Sequence, residues 1–326
     1  MCFGVKPTSY PPPMKSEVTT LEELLATNRP PSARGVDPDR VRRAIITGGD
    51  SGIGRYTALA LAEDGCDVAI TYAEQEEDAM LTAEGVRHYG REAYVQQLDL
   101  TDPEAAAPAV DEMVRQLGGL DVFFSNAGAM TMNAFPELTL ADMEHLFRVN
   151  TFGAVLACQR AAYHLLGLDP SGEAGTSLGQ LAAKVRKFVT GELASPRATP
   201  GRIIVNTSVH EHIASPVDHV YTMTKHALGG FIKTAAYALA GTNVTVVGVR
   251  PGEVATPLND MHPEDGLDAD RPHVPAHRGG HPTEIASMVR YLASDATGFI
   301  TGVSYDVDGG MSVGGPMSQG MYRQAA

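Results

Sequence analysis

The sequence predicts an α/β fold in which a doubly wound parallel sheet of about seven strands carries helices on both faces. Three observations point to it. From Ala44 onward, short apolar runs alternate with longer amphipathic stretches, the pattern of β-α-β units. A glycine cluster, Gly48, Gly49, Gly52 and Gly54, stands between the first apolar run and the first helical stretch. Polar residues gather at the ends of later apolar runs, and open α/β sheets bind ligands at those carboxyl ends.

Residues 1–40 hold Pro11-Pro12-Pro13, Pro30-Pro31 and mixed charges around Leu21, Leu24 and Leu25, and read as an N-terminal arm with a helical turn or two. Ala44-Ile45-Ile46 is a buried strand. Arg55 to Glu63 is a helix with Ala58, Leu59 and Ala62 turned inward, ended by Gly65. Strands are predicted at Val68-Ala69-Ile70, Ala93 to Leu98, Val122-Phe123-Phe124, Ile203-Ile204-Val205, Val244 to Val249 and Ile300 to Asp306. One interval breaks the rhythm: about 35 residues separate the helix near Thr151 to Leu166 from the strand at Ile203, where a loop of about 2 to 6 is usual. Leu178, Leu181, Val185, Phe188 and Val189 recur there at helical spacing, so an amphipathic helix is inserted over about 167–200. The chain thus divides into the arm, one domain over 41–312 and a C-terminal tail over 313–326.

With 326 residues, 43% of them hydrophobic and 20% charged, the chain can build one large core. A net charge of -14 repels a phosphate backbone, which argues against nucleic acid as a partner. Cys2, Cys66 and Cys158 are odd in number and lack metal-ligand spacing, so neither a disulfide framework nor a zinc site is indicated. No run approaches the ~20 apolar residues of a membrane helix. Met1-Cys2-Phe3-Gly4 lacks the basic region and apolar run of a secretory signal. A cytoplasmic location without membrane association is expected.

Thr47-Gly48-Gly49-Asp50-Ser51-Gly52-Ile53-Gly54 follows the first strand and opens the first helix. In that context glycines let the backbone approach a dinucleotide pyrophosphate, and the helix start supplies free N-H groups. Asp99, past the third strand, is placed to accept from an adenine amino group or to cap the next helix. Asn126-Ala127-Gly128 ends the fourth strand, where small residues bring the chain close beneath a cofactor; alone, Asn126 would be a turn residue. The acid that holds the ribose of NAD is expected about 20 residues beyond the glycines, but Thr71-Tyr72-Ala73 stands there. No Arg or Lys offers itself to the 2′-phosphate of NADP either. Glu74, Glu76, Glu77 and Asp78 would repel that phosphate, which tilts the choice toward NAD, although they also suit a solvated helix start.

Tyr221 and Lys225 lie four apart at the start of a helix, on one face. An ammonium beside a phenol favours phenolate and lowers a pKa that is ordinarily about 10. Lys225 can also reach the nicotinamide ribose. Ser208 ends the strand over Ile203 to Thr207, placed to polarise a substrate carbonyl or to cap a turn. Asn150, polar in an otherwise apolar helix, either holds a water that relays protons to Lys225 or bonds its own helix. His210 and Glu211, just beyond Ser208, are candidates to hydrogen-bond substrate hydroxyls, with structural roles equally open.

With these residues in this order, the chain resembles the short-chain dehydrogenase/reductase family over about 41–312. The resemblance rests on the Thr47 to Gly54 motif, Asn126-Ala127-Gly128, Asn150, Ser208, Tyr221 with Lys225, Arg250-Pro251-Gly252 with Thr256, and Asp308-Gly309-Gly310. It implies a Rossmann-type fold, NAD or NADP as cofactor, and hydride transfer between nicotinamide and a secondary alcohol or its ketone. Tyr221 would be the acid/base, Ser208 would stabilise the reacting oxygen, Lys225 would tune the tyrosine and Asn150 would keep the relay. The resemblance adds Tyr72, Leu100, Pro251, Gly252, Val254 and Thr256 to the cofactor contacts and implies a homotetramer or homodimer. Ser208 to Glu211 and Gly252 to Asn259 look most like bacterial glucose 1-dehydrogenases. Gly48 to Arg55, with the long arm, is similar to bacterial general-stress oxidoreductases. The insertion departs from both.

Residues 253–282 should arch over the nicotinamide as a substrate lid. Their His262, His273, His277 and His281 lack a compact ligand pair, so no metal is expected. The insertion enters the start of a strand, on the side opposite the carboxyl ends, and is expected at a subunit contact or as a cover for the sheet bottom. The expected substrate is a small polar alcohol or ketone, or a natural-product intermediate. A sugar or polyol dehydrogenase is the rival reading among enzymes. A dinucleotide-sensing binding protein is the rival outside them, and the intact set of catalytic residues argues against it.

Overall fold

The computed structural model describes residues 40–132, 134–168, 200–259 and 270–313, and singly 183, 186, 187, 190, 192, 261 and 267. The arm before Arg40, the apolar residues Leu178, Leu181, Val185, Phe188 and Val189 of the insertion, His262 and the tail beyond Val313 lie outside the described residues.

Seven parallel strands form one sheet: β1 Arg42–Ile46, β2 Cys66–Tyr72, β3 Ala93–Gln97, β4 Val122–Ser125, β5 Gly201–Asn206, β6 Val244–Pro251 and β7 Ser304–Val307, in the order β3-β2-β1-β4-β5-β6-β7. The helices between them are α1 Gly52–Glu63, α2 Glu76–His88, α3 Ala106–Leu117, α4 Leu140–Phe147, α5 Ala154–Leu165, α6 His219–Ala238 and α7 Pro282–Ala293. The strand order reverses between β1 and β4, and this switch point opens the crevice in which such sheets bind ligands.

Alternation along each strand explains why both faces are covered. Ile45, Phe123, Ile203 and Val246 point into one buried cluster with α3, α5 and α6. Their neighbours Ala44, Ile46, Val122, Phe124, Ile204 and Val247 point into a second cluster with α1, α2 and α7. The near-continuous apolar runs of the sequence are strands buried on both sides.

Three elements differ from expectation. Helix α1 starts at Gly52 rather than Arg55, because the last glycines of the motif are already helical. The final strand is short, Ser304–Val307, and Gly302, two residues before it, adopts φ +73. The helix expected near Thr151 to Leu166 is α5, and it continues α4 through a π-helical turn over Arg148–Gly153 that carries Asn150. Gly153 makes the close packing there possible, as a Cβ on it would sit 2.9 Å from Leu100 Cδ2.

At the amino edge of the sheet, α5 ends at Leu165 and β5 begins at Gly201. The two lie side by side: a Cβ on Gly201 would stand 3.1 Å from that of Leu165. The inserted segment therefore leaves and re-enters the domain at one place. A cavity of about 460 Å³, lined in part by Arg43, Asp111, His164, Gly167 and Leu168, opens beside it.

Candidate active site

The loop after β1 is built to come close to a ligand. Gly48 and Gly52 adopt φ +62 and +48, a left-handed region that strains any other side chain. A Cβ on Gly54 would fall 2.0 Å from the Gly48 carbonyl oxygen, and one on Gly52 would meet Thr256 Cγ2 at 3.1 Å. Gly48 N-H donates to Thr71 Oγ1 at 3.1 Å and Gly49 N-H to the Thr71 carbonyl at 2.9 Å, which pins the loop to the end of β2.

A second set of bonds ties this loop to the end of β4. Thr47 Oγ1 accepts from the N-H groups of Asn126 and Ala127 at 2.9 and 3.1 Å. Asn126 Nδ2 donates to the carbonyls of Thr47 and Gly48 at 3.1 and 2.8 Å, and its Oδ1 accepts from Asn206 Nδ2 at 2.9 Å. Asn126 is thus a stitch between three strand ends rather than a mere turn residue. Asp99 Oδ1 accepts from Thr101 N-H at 2.8 Å in a local turn, while the cap of the next helix, its expected alternative role, falls to Asp102, which accepts from Glu104 N-H. Tyr72, Leu100 and Val254 sit at strand ends with side chains in the two cores. Asp50, Ser51 and Ile53 complete the loop and the first turn of α1, and burial raises the Asp50 carboxyl. Gly252 packs tightly as well, since a Cβ there would lie 2.8 Å from Asp308 Cα.

Asn150, Ser208, Tyr221 and Lys225 converge at the carboxyl edge of β4 and β5, all buried. Ser208 hydrogen-bonds the Tyr221 phenol. Lys225 Nζ donates to the Asn206 carbonyl at 3.1 Å and lies 5.2 Å from the Tyr221 ring centroid. Asn150 Oδ1 accepts from Ala129 N-H at 2.7 Å, and its Nδ2 donates to the Ala129 carbonyl and to Thr224 Oγ1 at 2.8 and 3.2 Å. It bonds across to the β4 loop and α6, neither of which is its own helix. Gly128 separates Asn150 from Lys225: a Cβ there would stand 3.3 Å from Asn150 Oδ1 and 3.8 Å from Lys225 Nζ.

Two expectations are corrected. The phenol does not end below its ordinary value: burial dominates and pushes Tyr221 up to about 12, with the Ser208 hydrogen bond opposing and the Asp218 charge adding. Burial likewise brings Lys225 down to about 8, opposed by the charge of Glu211. The second correction is Glu211 itself. Its carboxylate lies 3.6 Å from Arg250, and its stem packs on Gly229, where a Cβ would meet Glu211 Cγ at 2.5 Å. These contacts are those of the structural role that the sequence left equally open.

His210, by contrast, stands beside the reacting phenol, its ring edge-on to that of Tyr221 at a centroid separation of 5.9 Å. Sequence reasoning missed Thr71, Asn206 and Thr224, which hold Gly48, Lys225 and Asn150. Their signal was a polar residue closing or facing an apolar run. Two of the four histidines over 253–282 have partners: His273 pairs with Glu253 at 2.7 Å, and His281 caps α7 through Thr283 and packs on Tyr56. Among the described residues no group of His, Cys, Asp and Glu could hold a metal ion, and no helix is long and apolar enough to cross a membrane.

Two family models match in succession, short chain dehydrogenase over residues 42–176 and enoyl-(acyl carrier protein) reductase over 176–312. The uncharacterized oxidoreductase YohF of Escherichia coli is 37% identical over 84% of this chain and 96% of its own. The crystal structure of acetoin dehydrogenase YohF from Salmonella typhimurium is 37% identical with a TM-score of 0.72, over 85% of this chain and 98% of that one. Acetoin dehydrogenase from Enterobacter cloacae, at 36% identity, gives a TM-score of 0.71 over the same shares. With the glycine loop, the buried Ser208, Tyr221 and Lys225, and relatives of this similarity, the chain belongs to the short-chain dehydrogenase/reductase family of NAD(P)-dependent oxidoreductases.

Proposed function

We propose that this enzyme interconverts a small polar secondary alcohol and its ketone, with Tyr221 as the acid/base. The observation that carries the reading is a buried phenol, hydrogen-bonded by Ser208 and roofed by Lys225, beside a loop in which Gly48, Gly52 and Gly54 leave the backbone bare. That loop fits a dinucleotide: the space a Cβ would fill at Gly48, Gly52 and Gly54 is where the backbone must approach a pyrophosphate. The loop from Thr47 to Gly54, Asn126 to Gly128, and Pro251 to Thr256 would hold the cofactor, with Asp99 and Tyr72 at its adenosine end. When bound, the nicotinamide ring supplies or accepts the hydride.

The residues of the chain handle the proton and the oxygen. In the reducing direction Tyr221, protonated at neutral pH, donates its proton to the carbonyl oxygen as that oxygen gains negative charge. The Ser208 hydroxyl donates to the same oxygen and stabilises it. The Lys225 ammonium above the ring stabilises the phenolate that is left, and Asn206 and Asn150 keep the lysine and the β4 loop in register. In the oxidising direction the phenolate takes the alcohol proton.

Relatives that are acetoin dehydrogenases support an α-hydroxy ketone or vicinal diol as substrate. NAD is the favoured cofactor. Arg55, the basic residue of the glycine motif, is committed to Asp78 at 2.7 Å and Thr82 at 3.0 Å, which leaves it unavailable to a 2′-phosphate. Exposed Met223 and Tyr237 on α6 and Tyr291 on α7 favour a homodimer or homotetramer, and the buried free thiols of Cys66 and Cys158 suit a cytoplasmic location.

The test is Tyr221→Phe. Turnover of 3-hydroxybutan-2-one is expected to fall by about 10² to 10⁴ while titration still shows cofactor binding; full turnover in this variant overturns the mechanism. Initial rates with NAD and NADP at equal concentration decide the cofactor, and a strong NADP preference would reverse that assignment.

A further inference from the structure

We propose that His210 and Asp218 form a hydrogen-bond-accepting subsite beside Tyr221 that selects substrates bearing a hydroxyl on the carbon next to the reacting one. The inference rests on the alcohol/ketone reaction proposed above and names the feature of the substrate that this site reads.

Asp218 is the N-cap residue of α6, three positions before Tyr221, yet its side chain makes no capping bond. An aspartate there ordinarily accepts from the first-turn N-H groups. Here Oδ2 instead accepts from Ser215 Oγ at 2.8 Å, and Oδ1 is buried with no hydrogen-bond partner. A carboxylate oxygen accepts more than one hydrogen bond, so Oδ2, with Ser215 on one lone pair, keeps a second accepting position unfilled.

His210 supplies the second acceptor. Its Nδ1 lies 3.1 Å from the Ile213 carbonyl oxygen. A carbonyl only accepts, so Nδ1 carries the hydrogen, and in the uncharged tautomer with hydrogen on Nδ1 a lone pair stands at Nε2. That Nε2 is 3.9 Å from Asp218 Oδ2, too far for a direct hydrogen bond. The two acceptors leave each other unsatisfied, and both adjoin the reacting phenol: the His210 ring meets that of Tyr221 edge-on, and the Asp218 charge is felt by it.

Acceptors grouped in this way call for a donor. With the reacting oxygen on Tyr221 and Ser208, a hydroxyl on the adjacent carbon donates to Asp218 or to His210 Nε2. A second carbonyl in that place would set lone pairs against lone pairs, and a plain methylene would leave both acceptors empty. The subsite therefore favours α-hydroxy ketones and vicinal diols over α-diketones and simple ketones.

The experiment compares kcat/KM for reduction of 3-hydroxybutan-2-one, butane-2,3-dione and butan-2-one by the wild-type enzyme, Asp218→Asn and His210→Gln. The wild type should favour the hydroxy ketone over each of the others by about tenfold or more, the worth of one well-placed hydrogen bond. In Asp218→Asn, whose amide can donate, the preference over the dione should shrink about tenfold. His210→Gln should reduce it as well and keeps the test decisive should the first variant fail to fold. Calorimetric binding of the same three compounds to Tyr221→Phe with reduced cofactor gives a second readout. Preference in binding without wild-type turnover would remove the reaction proposed above and leave the subsite standing. Turnover of all three compounds without preference, or a preference unchanged in both variants, would overturn the subsite and leave the reaction.

Discussion

Burial acts on Tyr221 and Lys225 in opposite senses, raising the phenol to about 12 and lowering the ammonium to about 8. Each shift disfavours the charged form of its group. The phenol of the resting site thus stays protonated at neutral pH, and the lysine becomes the group of the pair that titrates nearest to it. Lys225 is charged below pH about 8 and loses its proton above it. Ketone reduction needs the ammonium to stabilise the phenolate left behind, so kcat/KM for reduction is expected to be level below pH about 8 and to fall above it. A pH–rate series with Lys225→Arg as control reads this directly, because the guanidinium stays charged and should remove the alkaline limb from whatever activity it retains. A wild-type profile still rising above pH 9 would contradict the assignment. At this scale the sequence was readable where a residue's chemistry is unusual for its place: a tyrosine four before a lysine, a serine closing a strand. It was not readable where direction decides. His210 and Glu211 are adjacent in the chain, and only the short helical turn over Val209–Glu211 sends one to the phenol and the other to Arg250.

The turn from β1 into α1 shows how one element joins cofactor binding to stability. Gly52 adopts φ +48, and a Cβ there would press on Thr256 Cγ2 at 3.1 Å. Gly52→Ala is expected to cost about 1 to 3 kcal/mol from the left-handed backbone alone. It should also push the loop away from the segment after β6, which weakens cofactor binding about tenfold or more. Thermal melts and a fluorescence titration with reduced cofactor measure the two effects separately, and unchanged affinity would remove Gly52 from the cradle. This element was legible because strand, glycines and helix follow one another without a gap. The π-helical turn over Arg148–Gly153 was not. Its residues keep the apolar spacing of the helices on either side, and the wider turn arises from packing of Gly153 on Leu100 rather than from local preference. The last strand was overread: apolar residues continue back to Ile300, while the strand itself begins at Ser304, two residues past the left-handed Gly302.

The whole molecule places the candidate catalytic residues and the attachment points of the inserted segment at opposite edges of one sheet. The catalytic residues gather at the carboxyl ends of the strands, and the inserted segment departs after Leu168 and returns at Pro200, at the amino edge. Doubly wound topology was visible in the rhythm of the sequence, and that rhythm also placed the insertion on the far side from Tyr221. The sequence could not reveal that the two ends of the insertion meet, because the contact between Leu165 and Gly201 joins residues far apart along the chain. Since they do meet, residues 169–199 can be replaced by a linker of about six Gly and Ser residues without pulling on α5 or β5. Shortening a loop by a little over two doublings changes closure entropy by about 1 to 1.5 kcal/mol in favour of the folded state. The excised protein is therefore expected to melt at or slightly above the wild-type temperature, to bind cofactor as before, and to keep kcat and KM for 3-hydroxybutan-2-one within about twofold. Its oligomer size, read by light scattering, is where a change is expected, because an amphipathic segment at this edge is proposed to serve subunit contact. Altered substrate choice with unchanged assembly would refute that division, and would mean that the amino edge of the sheet communicates with Tyr221 through α5 and β5.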